Sequence, residues 1–218
     1  MSNNISHTPC MSNIIQINFY GGVMLNKRAL KMAENKENLL SAARTAFSKY
    51  GFEGTSMDKL TAEVGLTRGA LYHNFGDKKG LFAAVVERID YEMAIQAKQE
   101  GAKHTNLWES LLAEGETYIK NALNPEVQRI VLLDGPAVLG DPSQWPSQNQ
   151  CLKTTNEIVK KLMENKILKT ANPETVAMFL NGAAMNAALW IAANDNPEKV
   201  LSDTLETFRL LANGLLMT

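Results

Sequence analysis

The residues best suited to chemistry in this chain lie close together, from Arg68 to Lys78. On a helix turning 100° per residue, Arg68, Gly69, Tyr72 and His73 fall within about 140° of arc. Ala70 and Leu71 point the opposite way. The outward set offers a cation, a bare backbone, a phenol and an imidazole. That chemistry is recognition rather than bond-making. An arginine can donate two hydrogen bonds to guanine or pair with a phosphate. Gly69 lets the helix approach closely, and Tyr72 and His73 can reach a phosphate or a base edge. Lys78 opens the next helix, where its ammonium and nearby backbone N–H groups can hold a phosphate. Each of these residues alone is commonplace on a surface. Their grouping on one face points to a DNA groove.

The elements around them must hold that face outward. Thr55 or Ser56 caps a helix that begins near Met57, with Asp58 in its first turn, where a carboxylate is favoured. Met57, Leu60 and Val64 form its inner face. Val64-Gly65-Leu66-Thr67 then supplies a glycine able to take the left-handed backbone, a leucine for the corner and a threonine to cap the next helix. A short helix, a glycine turn and a second short helix have the spacing of a helix-turn-helix. Elsewhere the apolar residues also keep helical spacing, as in Leu39, Leu40, Ala43, Phe47 and Tyr50, and no run alternates. The spacing predicts nine helices, over 36–50, 57–64, 68–75, 78–102, 105–122, 126–139, 149–167, 173–194 and 197–216. Pro173 and Pro197 stand where a first helical turn tolerates proline. The fold class is all-α.

Composition sets the outer bounds. The chain has 218 residues, 45% hydrophobic and 21% charged, enough to bury a core and stay in solution. That excludes a disordered chain, a collagen-like fibre and a disulfide-stapled miniprotein. Cys10 and Cys151 are too few and too far apart for a disulfide framework and suit free thiols in the reducing cytoplasm. His7, His73 and His104 show no metal-ligand spacing with the cysteines or each other. There is no phosphate loop, nucleophile elbow or motif-placed carboxylate pair. No enzyme activity, catalytic residue, metal or cofactor is therefore expected. Residues 24–80 hold ten Lys/Arg against six Asp/Glu, and residues 81–218 hold twelve against seventeen. A basic N-terminal piece on an acidic remainder suits an anion-binding module on a differently tasked body.

The first residues read as an extension rather than a signal peptide, because no Lys or Arg precedes the short patch Ile14–Tyr20. Gly21-Gly22 before Met24 can be encoded by a ribosome-binding site, so translation is expected to begin at Met24 or Met32. Thr175 to Asn194 is uncharged for 20 residues, long enough to cross a bilayer. Asn181 and Asn186 in its middle favour a helix packed on other helices, with no membrane partner.

Thr55-Ser56-Met57-Asp58, Gly65-Leu66-Thr67-Arg68-Gly69-Ala70-Leu71-Tyr72 and Phe75-Gly76-Asp77-Lys78-Lys79-Gly80-Leu81-Phe82 together resemble the N-terminal domain of TetR/AcrR-family transcriptional regulators. The likeness covers about residues 36–85. It implies a three-helix DNA-binding domain followed by a larger helical ligand-binding and dimerisation domain. It also implies that Thr55, Ser56, Arg68, Gly69, Tyr72, His73 and Lys78 lie at the DNA, with Thr67 beside them. Asn74 departs from the histidine that many members carry, and its role stays open. The expected organisation is a disordered extension at 1–33, the helix-turn-helix domain at 34–80 and the body at 81–218.

In the body, Trp108, Leu111, Leu112, Tyr118, Trp145 and Cys151 are the candidates for a small-molecule pocket, although core packing also accounts for each. Val131 to Gly140, with its Gly-Pro pair, is similar to a stretch in a subset of such regulators and reads as a helix with a break. The small residues from Gly182 to Ala193, with Leu189, Trp190, Leu201, Leu205, Phe208 and Leu215, read as a four-helix dimer interface built by about 173–194 and 197–216. The implied function is a ligand-responsive repressor that binds double-stranded operator DNA as a homodimer on a palindrome, with helix 78–102 as the lever. An activator, or a helical binding protein without DNA contacts, are the rival readings.

Overall fold

Caps and breakers decide where the helices of this chain begin and end. The computed structural model describes residues 27–217, and among these it contains helices and no strand. An isolated antiparallel bridge joins Leu168 and Leu216. Helix α1 spans Lys27–Gly54. Residues 27–33, expected within a disordered extension, are thus helical, because Lys, Ala, Leu and Met are good helix formers and no Gly or Pro intervenes. The readings made for residues 1–26 lie outside the described residues.

Helix α2 spans Met57–Glu63 and is capped by Ser56, whose side chain accepts from Lys59 N–H. Helix α3 spans Arg68–Phe75, and Thr67 caps it by accepting from Ala70 N–H at 3.2 Å. Between them Gly65 sits at φ 66°, the left-handed turn anticipated there. Helix α4 spans Lys78–Gly101 and starts at Asp77, which accepts from Gly80 N–H at 2.7 Å. Leu39, Phe47, Leu60, Leu71, Leu81 and Phe82 are closed to solvent and bind these helices together. At the centre the Phe82 ring meets Phe47 edge-on at 5.0 Å and Phe52 at 5.1 Å. Edge-to-face contacts of this kind add to the burial term.

The rest of the chain continues from α4. Helix α5 spans Leu107–Lys120. The helix expected at 126–139 is a helical run in three pieces: α6 at Pro125–Val127, a π-helical turn at Gln128–Asp134, and α7 at Gly135–Leu139. Pro136 is the physical reason. It donates no hydrogen bond and its ring crowds the carbonyl four residues back, so an α-helix cannot run through it undisturbed. Helix α8 spans Pro146–Glu164, α9 Pro173–Ala192 and α10 Pro197–Asn213, each with proline in its first turn. By length and composition α9 could cross a membrane. One face of it, made of Val176, Ala177, Leu180, Ala184, Ala188 and Ile191, is buried against α5, α8 and α10.

Candidate DNA-reading face and the interior of the body

Helix α3 is anchored by Leu71, with Ala70, Asn74 and Phe75 half-buried beside it, and it displays its remaining residues. Leu71 is 1% exposed, whereas Tyr72 is 54% exposed. Arg68, Gly69 and His73 are exposed with it, as are the caps Ser56 and Thr67. The face expected from spacing is therefore formed. Arg68 is not free on it: its guanidinium grips both carboxylate oxygens of Asp58 on α2. That hydrogen bonding holds the Asp58 carboxyl below the usual aspartate range. Both side chains are well exposed, so the pair is worth little to stability, but it fixes where the guanidinium points.

Two expected contacts stand differently. Thr55 is buried at 5% exposure, and its hydroxyl donates to the Gly51 carbonyl at 2.7 Å. Its side chain does not face outward, because Ser56 has taken the capping position. Lys78 is half-buried. Its ammonium donates to the Glu53 carbonyl at 3.2 Å and lies 4.7 Å from the centre of the Phe52 ring. Asn74, whose role spacing left open, donates to Ala70 O of its own helix at 2.7 Å.

The pocket candidates separate into two places. Trp108 is 2% exposed, and its indole N–H donates to Asn213 Oδ1 at 2.9 Å, which ties α5 to α10. Trp108 and Tyr118 stand at opposite ends of α5, about 15 Å apart at 1.5 Å rise per residue. Leu111 is buried on the same helix. Tyr118 and Cys151 instead lie within electrostatic reach of a carboxylate that motif spacing does not single out. Asp90 is 4% exposed and is the one buried charged side chain among the described residues. It accepts from Gln148 Nε2 at 3.4 Å. Burial pushes its pKa up, and hydrogen bonds from Ser147 and Gln148 offset part of that. Burial, then the nearby Asp90, raises the Cys151 thiol to about 11 and also raises the Tyr118 hydroxyl. The Tyr118 hydroxyl donates to Met185 Sδ at 3.3 Å, a weak acceptor. On the same face of α9, Asn181 Oδ1 accepts from Thr155 at 3.1 Å while its buried amide nitrogen has no partner. These groups form a polar seam among α4, α5, α8 and α9. Trp145 is buried at the start of α8, its indole nitrogen also unpartnered. A signal for Asp90 exists in the sequence: it shares helical spacing with Val86, Met93 and Ala97, all on the buried side of α4.

The sign of the Asp90 shift has a measurable consequence. A carboxyl whose folded pKa lies above its unfolded one lowers stability above that raised value and has no effect below the unfolded value. Asp90→Asn should therefore raise the melting temperature near neutral pH. That gain should fade as pH falls through the raised value toward the ordinary aspartate range, read by melting curves from about pH 8 to about pH 4. A variant less stable than the parent at neutral pH would show that the carboxylate charge is needed.

The opposite side of α9 and the outer side of α10 expose large apolar side chains, on α10 alongside Asp203 and Glu206. Phe179, Trp190, Leu210 and Leu211 are exposed, Leu210 at 72%. An open groove of about 490 Å³ runs between the two helices, lined by Ala183, Ala187, Val200, Thr204 and Phe208 among others.

Comparison with known proteins agrees with this geometry. Residues 39–85 match the family described as bacterial regulatory proteins, tetR family, and residues 108–215 match the tetracyclin repressor-like C-terminal domain. The crystal structure of a TetR-family transcriptional regulator from Pectobacterium atrosepticum superposes with a TM-score of 0.78 at 41% identity, covering 87% of this chain and 97% of that one. The HTH-type transcriptional repressor AcnR of Corynebacterium jeikeium is 27% identical over 184 residues, 80% of this chain and 90% of that repressor. The transposon Tn10 TetC protein of Escherichia coli is 26% identical over 185 residues, 84% of this chain and 90% of that protein. With both parts matched, the first of them carrying the exposed face of α3, the chain belongs to the TetR family of DNA-binding transcriptional regulators and is not an enzyme.

Proposed function

We propose that this chain is a cytoplasmic repressor that binds a palindromic operator as a homodimer and is released by a small-molecule inducer. The observation that carries the reading is α3: Leu71 anchors it at 1% exposure while Arg68, Gly69, Tyr72 and His73 face out. In this reading residues 34–80 form the DNA-binding part and residues 81–218 the ligand-binding and dimerisation part. Each α3 enters a major groove of one half-site, and Ser56, Thr67 and Lys78 add contacts to the phosphates. Two copies pair through the apolar faces of α9 and α10. The inducer occupies the seam lined by Tyr118, Cys151 and Asp90, with Leu111 and Trp145 supplying apolar wall. A ligand that prefers one setting of the body changes the spacing of the two heads through α4. A tenfold loss of operator affinity needs about 1.4 kcal/mol of such coupling.

The test uses duplex DNA from upstream of the chain's own gene, titrated by fluorescence anisotropy. Tyr72→Ala and Lys78→Ala should each weaken binding about tenfold while leaving the dimer intact by light scattering. Lys78→Ala should also lower the slope of log affinity against log salt by about one. If both variants bind like the parent, α3 is not the reading helix.

A further inference from the structure

The Gly-Pro stretch after residue 130 has a role that its sequence does not announce. The π-helical turn Gln128–Asp134 lies against the joint between α1 and α2. Asp134 Oδ2 accepts from the Phe52 backbone N–H at 2.7 Å and from Arg129 Nε at 3.2 Å. The Arg129 guanidinium packs on Gly51, where a Cβ would stand 1.9 Å from its Nη2. Gly51 is also at φ 69°, a backbone conformation that favours glycine. Just before the turn, Glu126 accepts two hydrogen bonds from Arg44 of α1, at 2.8 and 2.7 Å. Arg44 also donates to Glu92 of α4 at 2.8 Å.

The π geometry is what allows the grip. Arg129 and Asp134 are five residues apart. In an α-helix that separation is about 140° of arc, so only one of the two could face the joint. In a π-helix, bonded i to i+5, they stand one turn apart on the same side. Phe52 in turn contacts the Phe82 ring and the Lys78 ammonium. Three residues on come Thr55, Ser56 and the start of α2. The other end of the turn reaches the interior: Trp145 packs on Gly135, where a Cβ would lie 2.8 Å from the indole Cη2. Trp145 immediately precedes α8, whose Ser147 and Gln148 hydrogen bond to Asp90.

We propose that the π-helical turn is a clasp by which the body positions the DNA-reading head, with Arg129 and Asp134 as positioning residues and Trp145 connecting the clasp to the polar seam. The proposal rests on the reading of α3 as the DNA-contacting helix and adds the element that sets its position. An α-helical register of the same segment would turn Arg129 away from Asp134, so the paired grip on Gly51 and Phe52 depends on the π turn.

The experiment measures amide hydrogen exchange across residues 51–56 in the full-length protein, alongside anisotropy with the upstream duplex. Asp134→Ala should speed exchange at Phe52 about tenfold and weaken DNA binding about tenfold, with exchange in α8 and α9 unchanged. Asp134→Asn keeps an acceptor and should restore most of the protection at Phe52. Trp145→Phe, remote from the head, should also speed exchange at Phe52. Unchanged exchange at Phe52 in Asp134→Ala overturns the clasp. Faster exchange with DNA binding equal to the parent overturns the positioning role. Unchanged exchange at Phe52 in Trp145→Phe overturns the connection to the seam. A parent that fails to bind the duplex counts against α3 as the reading helix and, since the head then has nothing to position, against the positioning role; the exchange measurement still decides the clasp itself.

Discussion

The double variant Leu210→Asp/Leu211→Asp should remain helical, run as a monomer and bind the upstream duplex at least about a hundredfold more weakly than the parent. Leu210 is 72% exposed and Leu211 66% exposed. Substitution of side chains that exposed costs a free subunit only about 0.5 kcal/mol each. Burial of the same two leucines in a pair of subunits is worth about 1.5–3 kcal/mol for each side chain, and placing carboxylates there adds a desolvation cost. The DNA effect is larger than the loss of two contacts. Two heads joined in one dimer bind the second half-site at high effective concentration, which raises affinity by about 10²–10⁴ over a single head. Light scattering, circular dichroism and anisotropy on the same preparations check the three parts of this result. A variant that stays dimeric removes α9 and α10 as the interface. A monomer that binds DNA like the parent removes the need for paired heads.

Phe82→Ala should cost about 3–5 kcal/mol of folding free energy. The ring is closed to solvent and touches Phe47 and Phe52 at 5.0 and 5.1 Å, so its removal leaves a cavity where the first four helices meet. For a domain of this size the melting temperature should fall by about 10 °C or more, and DNA binding should fall with it. Urea titration at a fixed temperature gives the free energy directly. Tyr72→Ala supplies the contrast, since an exposed ring contributes little to the fold and should lose DNA affinity alone. A fall in DNA binding that tracks stability in both variants would mean that Tyr72 acts through packing rather than contact.

Legibility in the sequence differs from residue to residue. Leu71 inward and Tyr72 outward result from helical period and from Gly65, because a helix of eight residues has room for one buried face. Ser56 and Thr55 cannot be told apart by type: both carry a hydroxyl next to the start of α2, and only packing around the end of α1 puts Thr55 inside. Trp108 is left open between pocket and core by its type and spacing, with core packing the more ordinary reading, since its partner Asn213 lies on the last helix. Asp90 is legible as a charge on an apolar stripe, although no motif marks it and spacing did not select it as a site residue. The break at Pro136 is legible. The π turn it produces, and the grip on Gly51 and Phe52, are not.

Caps, turns and faces depend on residues within about one helical turn of each other, and for this chain they determined an all-α fold and the outward face of α3. The partners of Arg68, Lys78, Arg44 and Asp134 lie on other helices, ten to more than eighty residues away along the chain. No local preference specifies such pairs. They exist because the hydrophobic core, as it closes, brings polar groups from distant parts of the chain within reach of one another.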